Sequence, residues 1–285
     1  MKKIENQTFD AERALYALHD AELVGCAFEG EADGESALKE SCDFEARGCR
    51  FALRYPLWHD SRIAVRGCTM TDTCRAPVWY TKDALFEDCK IDGVKAFREC
   101  DKIKIQNCRI VSPEFGWNCR GMEIQGGEIT SEYFLLGSSD VLLDGVNFTG
   151  KYSFQYVKNA EIHNAVLQTK DAFWHTENVS VYDSVISGEY LAWYSKNLRL
   201  YRCRISGTQP LCYAENLYLE DCTMEGCDLS FENTSVTATV KGSIDSVKNP
   251  ISGRIEADSI GKIILDENLR KDADCKIVTR KNNLS

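Results

Sequence analysis

A period of nineteen residues runs through most of this chain, and a repeat of that length constrains the fold more than any other feature. The segments NVSVYDSVIS, NLRLYRCRIS and NLYLEDCTME begin at Asn178, Asn197 and Asn216. With the fourth-from-last residue of each as an anchor, the series reads Cys26, Cys49, Cys68, Cys89, Cys108, Gly127, Val146, Ala165, Ser184, Cys203 and Cys222. Its first three gaps are 23, 19 and 21 residues, and the remaining seven are all 19.

Five and three residues before the anchor, and two after it, every repeat is apolar, as in Ile103, Ile105 and Ile110 or Leu198, Leu200 and Ile205. The residues between are mostly polar. That alternation makes short strands rather than an amphipathic helix. Gly, Asp or Asn directly precedes the anchor everywhere except at Arg202, which places a sharp bend there. A unit of two short strands, a bend and a third apolar stretch cannot bury its own core, so it must stack on copies of itself. The expected fold is all-β: a single-stranded parallel β-helix with about 19 residues per coil and three short sheets. The hand is taken as right-handed from the general preference of parallel crossovers. A leucine-rich repeat competes, since Leu198, Leu200, Cys203 and Ile205 fit its core. Against it, Ser195 stands where its preceding leucine should be, and the period falls below the usual range of about 20 to 29.

Residues 1–285 are expected to form one domain, with 1–19 a degenerate capping coil, 20–224 regular coils, and 225–285 irregular final coils ending in the polar tail KNNLS. Val236 and Ile255 keep the nineteen-residue step from Leu217, while Ser243 stands where an apolar residue is due. Lys and Arg number 34 against 44 Asp and Glu, a net charge of -10, which disfavours attachment to nucleic acid or anionic lipid. No apolar run reaches the roughly 18 residues that span a bilayer. The opening MKKIENQTFD has no apolar stretch behind its lysines, so a cytoplasmic location is expected. Of the 14 cysteines, seven share the anchor column with Gly, Val, Ala and Ser. They read as small, reduced core filler. No C-x-x-C pair or zinc spacing occurs, and no metal or cofactor is implied.

Function is best sought in the third segment. Nine residues after the anchor, or the equivalent place in the longer early repeats, stand Lys39, Trp58, Trp79, Arg98, Trp117, Gln155, Trp174 and Trp193, including all five tryptophans. The residue before each is apolar or Gly. Alternation along a strand then points the tryptophan column outward, flanked by small residues such as Pro56, Pro77, Ala96, Ala172 and Pro210 that would leave the indole faces open. At the following corner come His59, Tyr80, Glu99, Asn118, Tyr156, His175, Tyr194 and Tyr213. An exposed aromatic face with hydrogen-bonding neighbours suits a saccharide or another polyhydroxylated ligand. Two other readings stand beside it: an internal stack that fills the coil, and an interface for a protein partner or a second copy of the chain. Arg98, Glu99, Glu114, Asp171 and His175 are the candidates for catalysis, and the chemistry they would allow is sugar hydrolysis, elimination or epimerisation. They form no recognised motif, so enzymatic activity is left open.

The segments RYPLWH from Arg54, KAFREC from Lys95, SPEFGW from Ser112, KYSFQY from Lys151, KDAFWH from Lys170, GTQPLCY from Gly207 and DSVKNP from Asp245 resemble a family of uncharacterised bacterial proteins known as a domain of unknown function. The resemblance covers nearly the whole chain. It implies a right-handed, pectate-lyase-like β-helix and no settled activity. Some relatives carry a hydrogenase label, which the cysteine pattern here does not support.

Overall fold

The structure, a computed structural model, describes residues 2–266 and 273–280. It forms two compact units, Met1–Phe148 and Thr149–Ser285. The tail KNNLS lies outside the described residues.

In the first unit, the strands His19–Val24, Cys42–Arg47, Ser61–Arg66, Lys82–Glu87, Asp101–Gln106 and Arg120–Gln125 pair in parallel and in register. The first of them also pairs with Lys2–Glu5. Their apolar positions turn inward, and residues such as Leu23, Val65, Phe86 and Ile103 have no exposed surface. A second side carries short strands whose inward residues include Phe28, Phe51, Ile91 and Ile110. There the rings of Phe28 and Phe51 stack at 4.8 Å. In the second unit the same two sides are built by Lys158–His163, Glu177–Tyr182, Lys196–Tyr201 and Leu217–Glu225, with Val166–Lys170, Val185–Ser187 and Arg204–Ser206 beside them. No α-helix occurs among the described residues, and each unit is a parallel β-solenoid stacked about 19 residues per coil. The all-β repeat fold expected from the sequence is the fold observed.

The residue before the anchor is left-handed in every repeat, with φ from +50° at Asp183 to +67° at Gly145. Arg202 adopts it as well, at +52°, and its guanidinium makes a two-pronged ion pair with Asp183 at 2.6 and 2.7 Å. The bend thus belongs to the coil geometry, and the residue type only lowers its cost.

The anchor thiols are not inert filler. Cys68 Sγ donates to the Ala46 carbonyl at 3.5 Å, and the Cys49 N–H donates to Cys68 Sγ at 3.2 Å. Ser184 plays the same part, accepting from the Ala165 N–H at 3.0 Å. A second column repeats the pattern with Cys100, Cys119 and Ser138. A small side chain that can both give and take a hydrogen bond satisfies backbone groups where coils bend, which explains why Cys and Ser alternate there.

Past residue 225 the strands lengthen to Ser235–Lys248 and Ser252–Ile264, with register shifts between Leu219 and Cys222 and between Val240 and Ser243. The nineteen-residue step to Ile255 does not hold. Val236 pairs with Gly253, and Ile255 pairs with Ala238, because the last coils are shorter. The shift also explains Ser243, which is exposed while Ile244 next to it is fully buried.

Candidate functional site

The third side of each coil differs from a regular strand. In the first unit it carries two- to four-residue strands such as Leu57–Trp58, Val78–Trp79 and Glu114–Trp117, and in the second unit residues 172–175 and 191–194 are turns. Left-handed residues recur at every second position, as at Tyr190, Ala192 and Tyr194 with φ of +53°, +66° and +59°. Such bends break strict alternation. Leu191 and Ala192 are both buried, Trp193 is half-buried and Tyr194 is exposed.

All five tryptophans are half-buried, so the column is neither core nor an open ledge. In the first unit Lys39 Nζ lies 4.3 Å from the centre of the Trp58 ring, Trp58 stacks on Trp79 at 5.8 Å, and the Arg98 guanidinium lies 4.6 Å over Trp117. In the second unit Trp174 and Trp193 stack at 5.4 Å with 4° between their planes. Their indole N–H groups donate to the carbonyls of Tyr190 at 2.6 Å and Gln209 at 3.0 Å. Gln155 precedes Trp174 in this column and is also half-buried. The expectation of open indole faces is therefore corrected. Pro56, Pro77, Ala96, Ala172 and Pro210 are themselves buried, and the coil spacing of about 4.8 Å brings each ring within stacking distance of the next coil's side chain. Every indole has at least one face covered by a side chain of a neighbouring coil.

The corner residues beyond the tryptophans are exposed, except Tyr213, which is half-buried. In the second unit Tyr156, His175, Tyr194 and Tyr213 form a continuous comb of rings, with centres 4.9, 5.0 and 5.2 Å apart. Tyr156 is 54% exposed and Tyr194 is 44% exposed. In the first unit His59 and Tyr80 stack at 4.8 Å, and the comb gives way to Glu99 and Asn118, joined by a hydrogen bond of 2.9 Å. Every one of these corner residues is left-handed, with φ from +52° to +62°.

The catalytic candidates do not converge. Arg98 donates to Glu114 at 2.8 Å, so each charge is met by the other. Glu99 accepts from Asn118. Burial pushes the Asp171 carboxyl up, a shift that Lys170 opposes and Glu189 reinforces. His175 lies in the ring stack, and no hydrogen bond or ion pair among the described residues links it to Asp171. No group of three His, Cys, Asp or Glu residues among the described residues has metal-holding geometry.

Sequence reasoning overlooked a second aromatic row, His163, Tyr182 and Tyr201, stacked at 4.7 and 4.8 Å on the first side of the second unit. Its signal was present, since these rings stand nineteen residues apart on an outward strand position.

No curated protein matches the sequence. Solved structures resemble it at low identity. The plasmid-mediated fluoroquinolone resistance protein QnrB1 is 15% identical over 83% of this chain and 91% of its own, with a TM-score of 0.21. The periplasmic alginate epimerase AlgG is 9% identical over 90% of this chain and 77% of its own, with a TM-score of 0.34. PfbA, a surface adhesin of Streptococcus pneumoniae, is 10% identical over 97% of this chain and 80% of its own, with a TM-score of 0.31. A family model described as a protein of unknown function matches residues 2–278 from one end of the repeat array to the other, and the chain belongs to that family, DUF3737.

Proposed function

We propose that this protein is a binding module for a linear, neutral saccharide or a similar polyhydroxylated ligand, held along the comb of Tyr156, His175, Tyr194 and Tyr213. The observation that carries the reading is the conformation of the comb. Bulky residues in the left-handed region cost about 1 kcal/mol or more each, and ring stacking offsets part of that cost. Elsewhere the same corner holds Asn118 and Gly137, residues that tolerate it readily. With the rings stacked face to face and those of Tyr156, His175 and Tyr194 exposed, the comb carries phenol hydroxyls and an imidazole, donors and acceptors at nearly constant spacing. A regular row of polar tips fits a ligand that is itself regular. The reading is of binding without turnover, because the Arg98 and Glu114 charges satisfy each other and Asp171 is not joined to His175.

A second reading, a scaffold for a protein partner, is favoured by one feature. The cluster of Trp79, Arg98, Glu114 and Trp117 combines residue types that anchor protein interfaces. Calorimetry with cellohexaose and maltohexaose separates the two. The saccharide reading predicts saturable binding by one of them, weakened about five- to tenfold by Tyr156→Ala or Tyr194→Ala. Absence of binding to both hexasaccharides, with a change of mass by light scattering on adding a protein partner, refutes it in favour of the scaffold.

A further inference from the structure

We infer that the second unit carries a separate groove for an anion borne on a hydroxylated body, a sugar acid or a sugar phosphate. The groove measures about 610 Å³, and its lining includes Asn197, Arg199, Tyr201, Asn216, Tyr218 and Thr237, together with Ser235 and Ser252. Its volume falls in the range of small-molecule sites, about 300 to 1,000 Å³. It lies on the first side of the coil and its lining includes no residue of the comb, so the inference does not rest on the saccharide reading above.

Three features of the groove point to this ligand. The first is an unmatched charge. Arg62, Arg120 and Arg202 each make two-pronged pairs with an Asp one coil earlier, at Asp43, Asp101 and Asp183. Arg199 has Ser180 at the preceding register position and Tyr218 at the next, and no carboxylate lies within ion-pair reach among the described residues. An exposed guanidinium in a chain of net charge -10, left without an acid, is a fork for a carboxylate or phosphate.

The second is a directed amide ladder. Asn178, Asn197 and Asn216 each donate from Nδ2 to the Oδ1 of an Asn one coil earlier, at 3.3, 2.9 and 3.3 Å. The ladder ends at Asn216, because the next coil places Ser235 there, whose Oγ accepts the Asn216 N–H at 2.8 Å. Asn216 Oδ1 is thus left as an acceptor at the groove, beside the hydroxyls of Ser235 and Thr237.

The third is a break in the ring stack. His163, Tyr182 and Tyr201 lie within 6° of parallel, but Tyr218 tilts 51° against Tyr201. Tyr218 is in register with Arg199 rather than with Tyr201, and its hydroxyl reaches Glu220 at 2.7 Å. Two ring surfaces therefore meet at an angle beside the free guanidinium, giving a wall for the apolar face of a polyol.

Calorimetric titration of the full chain with glucuronate, glucose 6-phosphate, glucose and inorganic phosphate tests the assignment. Saturable binding of glucuronate or glucose 6-phosphate, with glucose and inorganic phosphate at least tenfold weaker, supports it, and the stronger of the two identifies the anion. Arg199→Gln should weaken that binding about ten- to a hundredfold. Thr237→Val should weaken it less, and Tyr194→Ala should leave it unchanged. Arg199 and Thr237 are exposed strand positions, so a circular dichroism spectrum matching the wild type shows that each variant folds. Equal binding of inorganic phosphate, no binding of either anionic sugar, or binding indifferent to Arg199→Gln overturns it.

Discussion

Asp60 provides the sharpest test of how the coils are held together. It is 1% exposed, its Oδ1 accepts the Ser41 N–H at 2.8 Å, and its Oδ2 is buried without a partner. Over the next four coils the same column holds Thr81, Cys100, Cys119 and Ser138. Three of these donate to the carbonyl 22 residues earlier: Cys100 to Val78, Cys119 to Phe97 and Ser138 to Gly116. The equivalent acceptor for Asp60 is the Leu38 carbonyl, which only a protonated carboxyl can serve. Burial pushes the Asp60 carboxyl well above the usual range, and the nearby Glu40 adds to the effect. Because the folded value is raised, the stability Asp60 contributes is full below about pH 4, the unfolded value, and is lost as pH rises toward the folded one. Until the folded value is approached, the loss is up to about 1.4 kcal/mol per pH unit. Asp60→Asn keeps the acceptor for Ser41, supplies an N–H toward Leu38 and does not titrate. Urea unfolding at pH 5, 6 and 7 should show the wild type losing stability relative to Asp60→Asn as pH rises, by up to about 1.4 kcal/mol per pH unit. A difference that stays constant with pH would mean that Asp60 is ionised in the fold, and the account of this column would be wrong.

Cys119→Ser should change stability by less than about 1 kcal/mol, whereas Cys119→Val, which cannot serve the Cys100 N–H or the Phe97 carbonyl, should cost about 1 to 3 kcal/mol in urea unfolding. Trp174→Ala removes both the stack on Trp193 and the bond to Tyr190, and should lower stability by about 2 to 3 kcal/mol by the same measurement. Gly253→Ala should destabilise by about 2 kcal/mol or more and lower the melting temperature, since a Cβ there would lie 2.0 Å from the Val236 carbonyl oxygen at a φ of +100°.

The repeat made the core legible before any coordinates, because a fixed period forces equivalent residues to stack and leaves the apolar columns only one place to go. The turn column was legible for the same reason, down to Arg202, whose conformation follows its neighbours rather than its type. The third side was legible only in part. Its tryptophans do face away from the core, but left-handed residues bury two neighbours in succession, as at Leu191 and Ala192, so period-2 reasoning misjudged the surroundings of the rings. Whether an indole face is open depends on what the next coil places over it, a distance no single repeat records. Asp60 was missed because a lone acid in a Ser, Thr and Cys column looks like surface variation. The step to Ile255 failed because the shorter final coils shift the register, and two apolar residues nineteen apart mimicked the old period.

Nitration of tyrosines by tetranitromethane, mapped by mass spectrometry with and without a bound hexasaccharide, addresses the proposed role most directly. The comb account predicts that Tyr156 and Tyr194 react readily in the free protein and are shielded when the saccharide is present, while Tyr16, far from the comb in sequence and 47% exposed, reacts equally in both. Saccharide binding that leaves Tyr156 and Tyr194 fully reactive would place the ligand elsewhere and contradict it.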